Sequence, residues 1–148
     1  MAVDGFLKLP DIVGESQRDG HEDEIEIHSL RFGIAAADPE RTAVSRRGRV
    51  GFDPVTLLKR YDRASPYLKQ MLVESRRASE ATIALRRTVE GDTRDYLVVV
   101  LTDASLVSYD LDTTEDGRLE ETLTLGYRTI RFTYEGDHEV ELEVSAGR

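Results

Sequence analysis

The chain of 148 residues carries 29 acidic and 20 basic side chains, a formal net charge of −9 and no cysteine. This length predicts a single domain over residues 1–148 with an ordinary hydrophobic core, and the lack of cysteine excludes disulfides, thiol nucleophiles and Cys-ligated zinc. The acidic balance argues against a nucleic-acid partner, because binding to phosphate needs clustered Lys and Arg.

Period-two alternation of apolar and polar residues dominates the chain and predicts a mainly β fold. The first two predicted strands are bent, because their apolar positions slip by one residue partway along. The slip falls at His28 and Ser29 in the first strand and at Asp53 and Pro54 in the second. An extra residue at such a point restores the inward-facing pattern while the strand bends and twists.

A helix is predicted after these strands. Ser65 can cap its free amides, and Pro66 suits the first helical position. Leu68 and Met71 then share one face, and we expect the helix to end near Arg76. Such a short helix would cover an edge or an end of the sheet.

The second half of the chain continues in strands. Residues 81–89 and 138–145 alternate cleanly, so each predicts one apolar and one solvated face. The run Tyr96–Leu101 is apolar on both faces, so we expect protein on both sides of it, with another subunit as a candidate outer cover. A third bent strand begins at Leu123 and slips at Arg128 and Thr129. Together the bent strands predict a small closed β-barrel of antiparallel strands with one flanking helix.

No residue pattern supports an enzyme, a metal or a cofactor. His28 and His138 lie on separate strands without metal-ligand spacing. Four acids follow His21 and could in principle serve acid–base chemistry or bind a divalent cation: Glu22, Asp23, Glu24 and Glu26. Their alternation with apolar residues is instead typical of the solvated face of a strand.

Two features predict a protein that is made without a cleaved signal peptide and is not inserted in a membrane. The segment Met1–Lys8 has an acid where a secretory signal has its basic region. The longest apolar run, Leu97–Leu101, is far shorter than the about 20 residues of a membrane helix.

Several segments resemble the Hcp family, the haemolysin-coregulated proteins of type VI secretion. The opening Met1–Leu9, followed by Ile12–Ser16, resembles the first strand and the Gly-Glu-Ser turn of that family. The segment His21–Ile27 is similar to the next strand of the family, and Lys59–Pro66 is similar to its strand-to-helix junction. The similarity continues in one order through two late segments, Tyr96–Leu97 and Phe132–Tyr134.

This resemblance implies a barrel that assembles as a hexameric ring around a central channel, with rings stacked into the inner tube of a contractile machine. Such a subunit is structural. A contracting sheath drives the tube outward, and the tube carries or chaperones small effector proteins in its lumen. The implied partners are further copies of the chain, the type VI spike and sheath components, and effectors. The implied location is cytoplasmic before assembly and then outside the cell after secretion through the machine.

Alternation over residues 28–33 indicates which side chains face away from the core. If Leu30 and Phe32 point inward, Ser29 and Arg31 point away. In a sheet that lines a tube, Ser29 and Arg31 would then face the lumen, where Arg31 would offer a cation to cargo. An exposed outer face is the alternative.

Charge placement suggests a contact between subunits or between rings. The acids Glu22, Asp23 and Glu24 lie in an acidic stretch, whereas residues 35–49 are rich in arginine: Arg41, Arg46, Arg47 and Arg49. We predict that the arginines contact the acids of a neighbouring copy through partly exposed pairs, each worth about 0–1 kcal/mol. A solvated loop is the alternative.

Other functions remain open at this stage. A tube protein of a related contractile injection system or of a phage tail is similar in fold to the Hcp family. A monomeric β-barrel that binds a small ligand in its interior belongs to a different class. An enzyme is the third alternative, although no site emerges from the motifs.

Overall fold

A computed structural model describes residues 3–36 and 50–144, which contain eleven strands and one helix. The strands are β1 (Asp4–Lys8), β2 (Ile25–Ile27), β3 (Ser29–Arg31), β4 (Ile34–Ala36), β5 (Val50–Phe52), β6 (Val55–Arg60), β7 (Arg77–Val89), β8 (Asp92–Thr113), β9 (Leu119–Gly126), β10 (Thr129–Tyr134) and β11 (His138–Glu143). The helix α1 (Ser65–Val73) lies between β6 and β7. The predicted mainly β fold with one flanking helix is therefore confirmed for the described ranges.

Nine strands form one antiparallel sheet, and β4 and β5 form a separate pair. The hydrogen-bonded path of the large sheet runs β2, β1, β7, β8, β9, β6, β3, with β10 joined to β8 and β11 to β10. Within the described residues this ladder is open, which corrects the predicted closed barrel. The end strands β2 and β3 are consecutive in the chain and meet at His28. The His28 amide donates to Leu58, and its carbonyl accepts from Val3.

All three predicted bends are present. His28 separates β2 from β3, and Asp53 and Pro54 separate β5 from β6. Tyr127 and Arg128 separate β9 from β10. The backbone amides of Asp53 and Arg128 still donate to other segments, so the interrupted strands stay attached to the fold.

Strand β8 is the longest and serves two regions of the sheet. Its first half pairs with β10 from Leu97 to Thr102, and its second half pairs with β9 from Ser105 onward. The change of partner falls at Asp103, which has a positive φ of 53°. Asp is one of the few residues that tolerate this left-handed conformation, so the strand can bend there.

The start of α1 differs from the prediction. Ala64 occupies the N-cap position and no side chain caps the helix, so the predicted capping by Ser65 is wrong. The Ser65 hydroxyl is buried instead, where it accepts from Lys59 and donates to Glu121. Pro66 lies in the first turn, as predicted.

The helix ends at Val73, shortly before the expected end. Ser75 follows with a positive φ of 54°. Its amide donates to the carbonyl of Leu72, and the amide of Arg76 donates to that of Met71. This pair of bonds is the Schellman arrangement, which satisfies the last carbonyls of a helix.

Apolar side chains fill the interior of the folded sheet. The largest fully buried ones are Leu7, Ile25, Leu57, Leu68, Ile83, Leu101, Leu123, Leu125 and Ile130. In the described part of the chain, these side chains occupy the space enclosed by the folded sheet.

Candidate assembly surfaces

One face of the sheet carries short polar side chains, and we name it the hydroxyl face. It crosses β3, β6, β9 and the second half of β8, and cross-strand register sets its members side by side: Ser29, Arg31, Thr56, Leu58, Ser108, Asp110, Thr122 and Thr124. The hydroxyls of Ser108 and Thr124 are 2.5 Å apart. The opposite face of the same strands belongs to the core, with Leu57 and Leu123 fully buried.

Ser29 and Arg31 therefore both point away from the core, as the alternation predicts. Ser29 is half-buried and Arg31 is exposed. Their cross-strand neighbours Leu58 and Thr56 lie on the same face.

Residues 14–24 form a narrow, folded-back segment that we name the acidic loop. The Gly14 amide donates to the Asp23 carbonyl at 2.8 Å, and the Ser16 amide donates to the Glu24 carbonyl at 3.0 Å. The Asp23 amide returns a bond to Ser16 at 2.8 Å. Gly14 lies against the Glu24 backbone so closely that a Cβ on Gly14 would come within 2.4 Å of the Glu24 carbonyl oxygen.

Arg63, between β6 and α1, ties the acidic loop to the junction of strand and helix. Its Nε donates to the Gly14 carbonyl at 2.5 Å, and its backbone amide donates to the Glu15 carboxylate at 2.7 Å. Its Nη2 lies 2.9 Å from the Asp23 carboxylate. The Gly-Glu-Ser turn is therefore held by an arginine far away in the sequence.

His21 ties the other end of the loop to the sheet. The imidazole is buried against the Phe6 ring, and its two nitrogens face the carboxylates of Glu24 and Asp95. His21 is therefore a buried, hydrogen-bonded residue of the loop.

The predicted contact residues have different surroundings. Glu22 and Asp23 are exposed, and Asp23 pairs with Arg63 of the same chain. Glu24 is half-buried and directed at His21, so its carboxylate is already occupied within the subunit. The four predicted arginines lie outside the described residues: Arg41, Arg46, Arg47 and Arg49.

A buried ionic network lies behind the junction of β6 and α1, and sequence reasoning missed it. Lys59 and Glu121 are both fully buried, with Lys59 Nζ 2.5 Å from Glu121 Oε1. Lys59 Nζ also donates to Asp62 at 2.9 Å, to Ser65 at 3.1 Å and to the Arg60 carbonyl at 2.9 Å. These bonds compensate for the loss of hydration that burial of an ammonium group entails.

Tyr109 of β8 completes this network by donating its hydroxyl to the second oxygen of Glu121. Burial, reinforced by that hydrogen bond, raises the pKa of the Tyr109 hydroxyl well above its ordinary value. The available signal was that Lys59 and Glu121 occupy core-facing positions in the alternation of β6 and β9. Charged residues in phase with Leu57 and Leu123 predict a buried pair.

Strand β11 is an edge strand with an apolar face that the subunit itself leaves largely uncovered. Val140 is 50% exposed, although it pairs with Phe132 on the side that continues the core. Tyr134 is also exposed, and Leu142 is half-buried. The strand is confirmed, but the burial expected from its alternation is not reached within one subunit.

The run Tyr96–Leu101 shows a related pattern. Val99 and Leu101 face the core, and Val100 is also buried on the opposite face, as the sequence predicts. Val98, on the same outer face as Val100, is only half-buried. Cover by another subunit stays a prediction.

Over the described ranges, no group of three or more His, Asp or Glu side chains is arranged to hold a metal ion. A membrane-spanning helix is likewise not found there, since α1 is too short and too polar for that.

Comparison with known proteins identifies the family. The family model described as "Type VI secretion system effector, Hcp" matches residues 6–134. The chain is 28% identical over 133 residues to the "Major exported protein" of Pseudomonas aeruginosa, covering 84% of this chain and 77% of that one. It is 26% identical over 138 residues to "Protein hcp1" of the same organism, covering 91% and 85%.

The fold agrees with that match. The crystal structure of Hcp1 from Salmonella typhimurium is similar with a TM-score of 0.80 at 25% identity, covering 100% of this chain and 99% of the other. The chain matches the family over most of its length. The matched part includes the helix at the Lys59 junction, the acidic loop and most of the open sheet. The chain belongs to the Hcp family, and it is a tube subunit of the type VI secretion system.

Proposed function

We propose that the chain assembles as a hexameric ring, that such rings stack into the inner tube, and that the hydroxyl face lines the lumen. The observation that carries this proposal is the hydroxyl face itself, a face four strands wide that is turned away from the core. Apart from Arg31 and Leu58, its side chains are short and polar, so they leave the channel wide and form no large apolar patch that would retain passing cargo. Arg31 would then be a cation available to effectors within the lumen.

The edge of the sheet supports contact between copies in the ring. An exposed strand edge with apolar side chains is a surface that natural proteins usually cover. Strand β11 offers such an edge, with Val140 and Tyr134 exposed beside it. A neighbouring copy in the ring would cover both side chains, and the half-buried Val98 is a further position that it could cover.

In this proposal the role of the protein is structural and not catalytic. The contracting sheath pushes the assembled tube outward behind the spike, so spike and sheath components are its partners besides its own copies. Subunits assemble in the cytoplasm and leave the cell with the tube. The name "Major exported protein" of a relative supports export of this kind.

A single introduced thiol tests the lumen assignment, because the chain has no cysteine of its own. Light scattering should first show a mass near six times 16.7 kDa, or a stacked multiple of it. In such assemblies, Ser29→Cys should react with a small maleimide but far more slowly with a maleimide on a large polymer. Val73→Cys, on the 82% exposed outer position of α1, is the matched control and should react with both reagents.

Two results would contradict the assignment. Equal rates of polymer labelling at the two positions would place Ser29 outside the channel. A stable monomer at high protein concentration would remove the ring itself. In urea both variants should react alike, which checks that the thiols are chemically equivalent.

We further propose that Arg41, Arg46, Arg47 and Arg49 contact the exposed acids Glu22 and Asp23 of a neighbouring copy. Rings built from a chain with a net charge of −9 repel one another, so local pairs of opposite charge would favour one register of stacking. Glu24 contributes less to this contact than its sequence position suggests, because its carboxylate faces His21.

Reversing three of these charges should weaken stacking. For the triple variant Arg46→Glu, Arg47→Glu and Arg49→Glu, we expect shorter or absent tubes by electron microscopy, with rings still formed. Raising the salt concentration should reduce the difference from the native chain, because exposed pairs are screened. Native tube formation by the triple variant at low salt would contradict the contact.

A further inference from the structure

His21 belongs to the acidic loop, and its side chain lies between two carboxylates. Its Nδ1 is 2.8 Å from Glu24 Oε1, and its Nε2 is 2.9 Å from Asp95 Oδ2. Its ring stacks on the Phe6 ring with centroids 4.3 Å apart and planes 2° apart. One imidazole therefore joins the acidic loop to both β8 and β1.

The number of protons on this imidazole follows from the geometry. A neutral imidazole has one N–H and one lone pair, so it can donate to only one of the two carboxylates. Its other nitrogen would then direct a lone pair at an anionic oxygen within hydrogen-bonding distance, and that contact is repulsive. Both contacts are hydrogen bonds only when the ring is an imidazolium.

The charges around the ring balance in that protonated state. Arg86 of β7 donates its Nε to Asp95 at 3.1 Å. The imidazolium and Arg86 thus face the two carboxylates of Glu24 and Asp95, and loss of a proton from His21 leaves this group with a net negative charge. Further charged groups near the ring are the ion pair of Asp4 with Arg18, the exposed Glu26, which stands opposite Phe6, and the exposed Lys8 on the same face of β1.

The loop that His21 holds covers an apolar ring. The cross-strand partners of Leu7 are the fully buried Ile25 and Ile83, so Leu7 faces the core and Phe6 points to the outer side of β1. Phe6 is nevertheless buried, and His21 lies directly against it. If the loop moved away, the Phe6 ring would lose the cover of His21 and Arg18, and Arg86 of β7 would stay over it.

We propose that His21 is a pH-operated clasp, which as an imidazolium fastens the acidic loop over Phe6 and on losing a proton loosens the loop. The proposal concerns one subunit and does not depend on the ring or on the lumen assignment.

The expected pH dependence has two limbs. A group that holds its proton more firmly in the closed loop stabilises closure at low pH, and this stabilisation is lost as the pH rises and the proton leaves. The carboxylates act in the opposite sense, because they hold the clasp only when ionised. Free carboxyls titrate at about pH 4 and free imidazole at about pH 6.5. Closure should therefore be firmest at mildly acidic pH and weaken on both sides.

Hydrogen exchange measured by mass spectrometry tests the clasp on the native protein. The amides of Gly14, Ser16 and Asp23 bond only within the loop, so a peptide spanning residues 13–24 reports its closure. After correction for intrinsic exchange, we expect protection of this peptide to fall by up to about tenfold per pH unit over the range in which the open loop has lost the imidazolium proton and the closed loop still holds it, and then to level off. Peptides from β7 should show no such fall.

Three charge-neutralising variants separate the clasp from general electrostatics. Glu24→Gln and Asp95→Asn each leave one carboxylate, to which a neutral imidazole can still donate, so both should flatten the alkaline limb. Glu22→Gln is the matched control, because it removes the same charge one residue from His21 without contacting the ring. It should keep the native profile.

Nitrogen NMR of protein labelled with ¹⁵N only at histidine gives an independent readout on the native chain. His138 is exposed and serves as the internal reference. We expect both nitrogens of His21 to carry protons at the pH where the loop amides are most protected. A neutral His21 at that pH, a native loop without an alkaline limb, or a Glu22→Gln profile as flat as that of Glu24→Gln would each overturn the clasp.

Discussion

Lys59→Met should lower the free energy of unfolding by about 3–5 kcal/mol, because it leaves the carboxylate of Glu121 buried without its cation. The remaining hydroxyl donors, Ser65 and Tyr109, cannot neutralise that charge. Urea unfolding followed by tyrosine fluorescence measures the loss, since the chain has six tyrosines and no tryptophan.

Two further variants show that the charge and not the lost side chain is responsible. Replacing both partners, as Lys59→Met with Glu121→Leu, removes the uncompensated charge and should recover much of the stability. Arg60→Met is the matched control, since Arg60 is the neighbouring cation but is exposed. If Lys59→Met and Arg60→Met destabilise equally, the buried pair does not have the role assigned to it.

Gly14→Ala should destabilise the protein by about 1–3 kcal/mol, the usual range for forcing an extra methyl group into a filled site. The new Cβ would lie 2.4 Å from the carbonyl oxygen of Glu24 and 2.6 Å from the Cα of Ile25. Both are backbone atoms, so no rotamer change can relieve the overlap. Thermal unfolding measures the effect, and hydrogen exchange should show faster exchange of the loop amides.

Gly51→Ala is the control for this substitution. Among the described residues, its Cβ would meet only the Ala35 carbonyl oxygen, at the ordinary contact distance of 3.8 Å. We therefore expect Gly51→Ala to unfold close to the native temperature. If Gly14→Ala also unfolded close to the native temperature, the acidic loop would be able to shift without cost. That result would also weaken the case for a fastened loop.

The bends of the strands could be predicted from the sequence, because side chains alternate strictly and a slip in phase needs an extra residue. The interruption at His28 follows directly from Ile27 and Leu30 both being core-facing. The open ladder could not be predicted in the same way. Alternation tells which face a residue takes, but it carries no information on which strand bonds to which.

The polar networks show a different limit of the sequence. A serine before a proline is a common helix start. The Ser65 hydroxyl is instead hydrogen-bonded to Lys59 and to Glu121, and Glu121 is distant in the chain. His21 and Asp95 are similarly distant. Pairs of this kind depend on tertiary structure, so local propensity assigns such residues to caps or solvated loops.

The candidate surfaces also differ in how much of each could be predicted from the sequence. The shared orientation of Ser29 and Arg31 followed from local alternation, whereas the wider hydroxyl face needed the register of four strands. The exposure of Val140 could not be foreseen either. A strand at the edge of a sheet has the same sequence pattern as one that is covered, and only the topology distinguishes them.

The meeting of both sheet ends at His28 has a consequence for the order of folding. Strand β2 pairs with β1 and strand β3 with β6, so residues 25–31 gain both partners only after β1 and β6 are in place. β1 in turn pairs with the distant β7, and β6 with β9. Such non-local pairing is slow, so we expect the segment around His28 to close last. Because Ser29 and Arg31 belong to that segment, the hydroxyl face is complete only in a fully folded subunit.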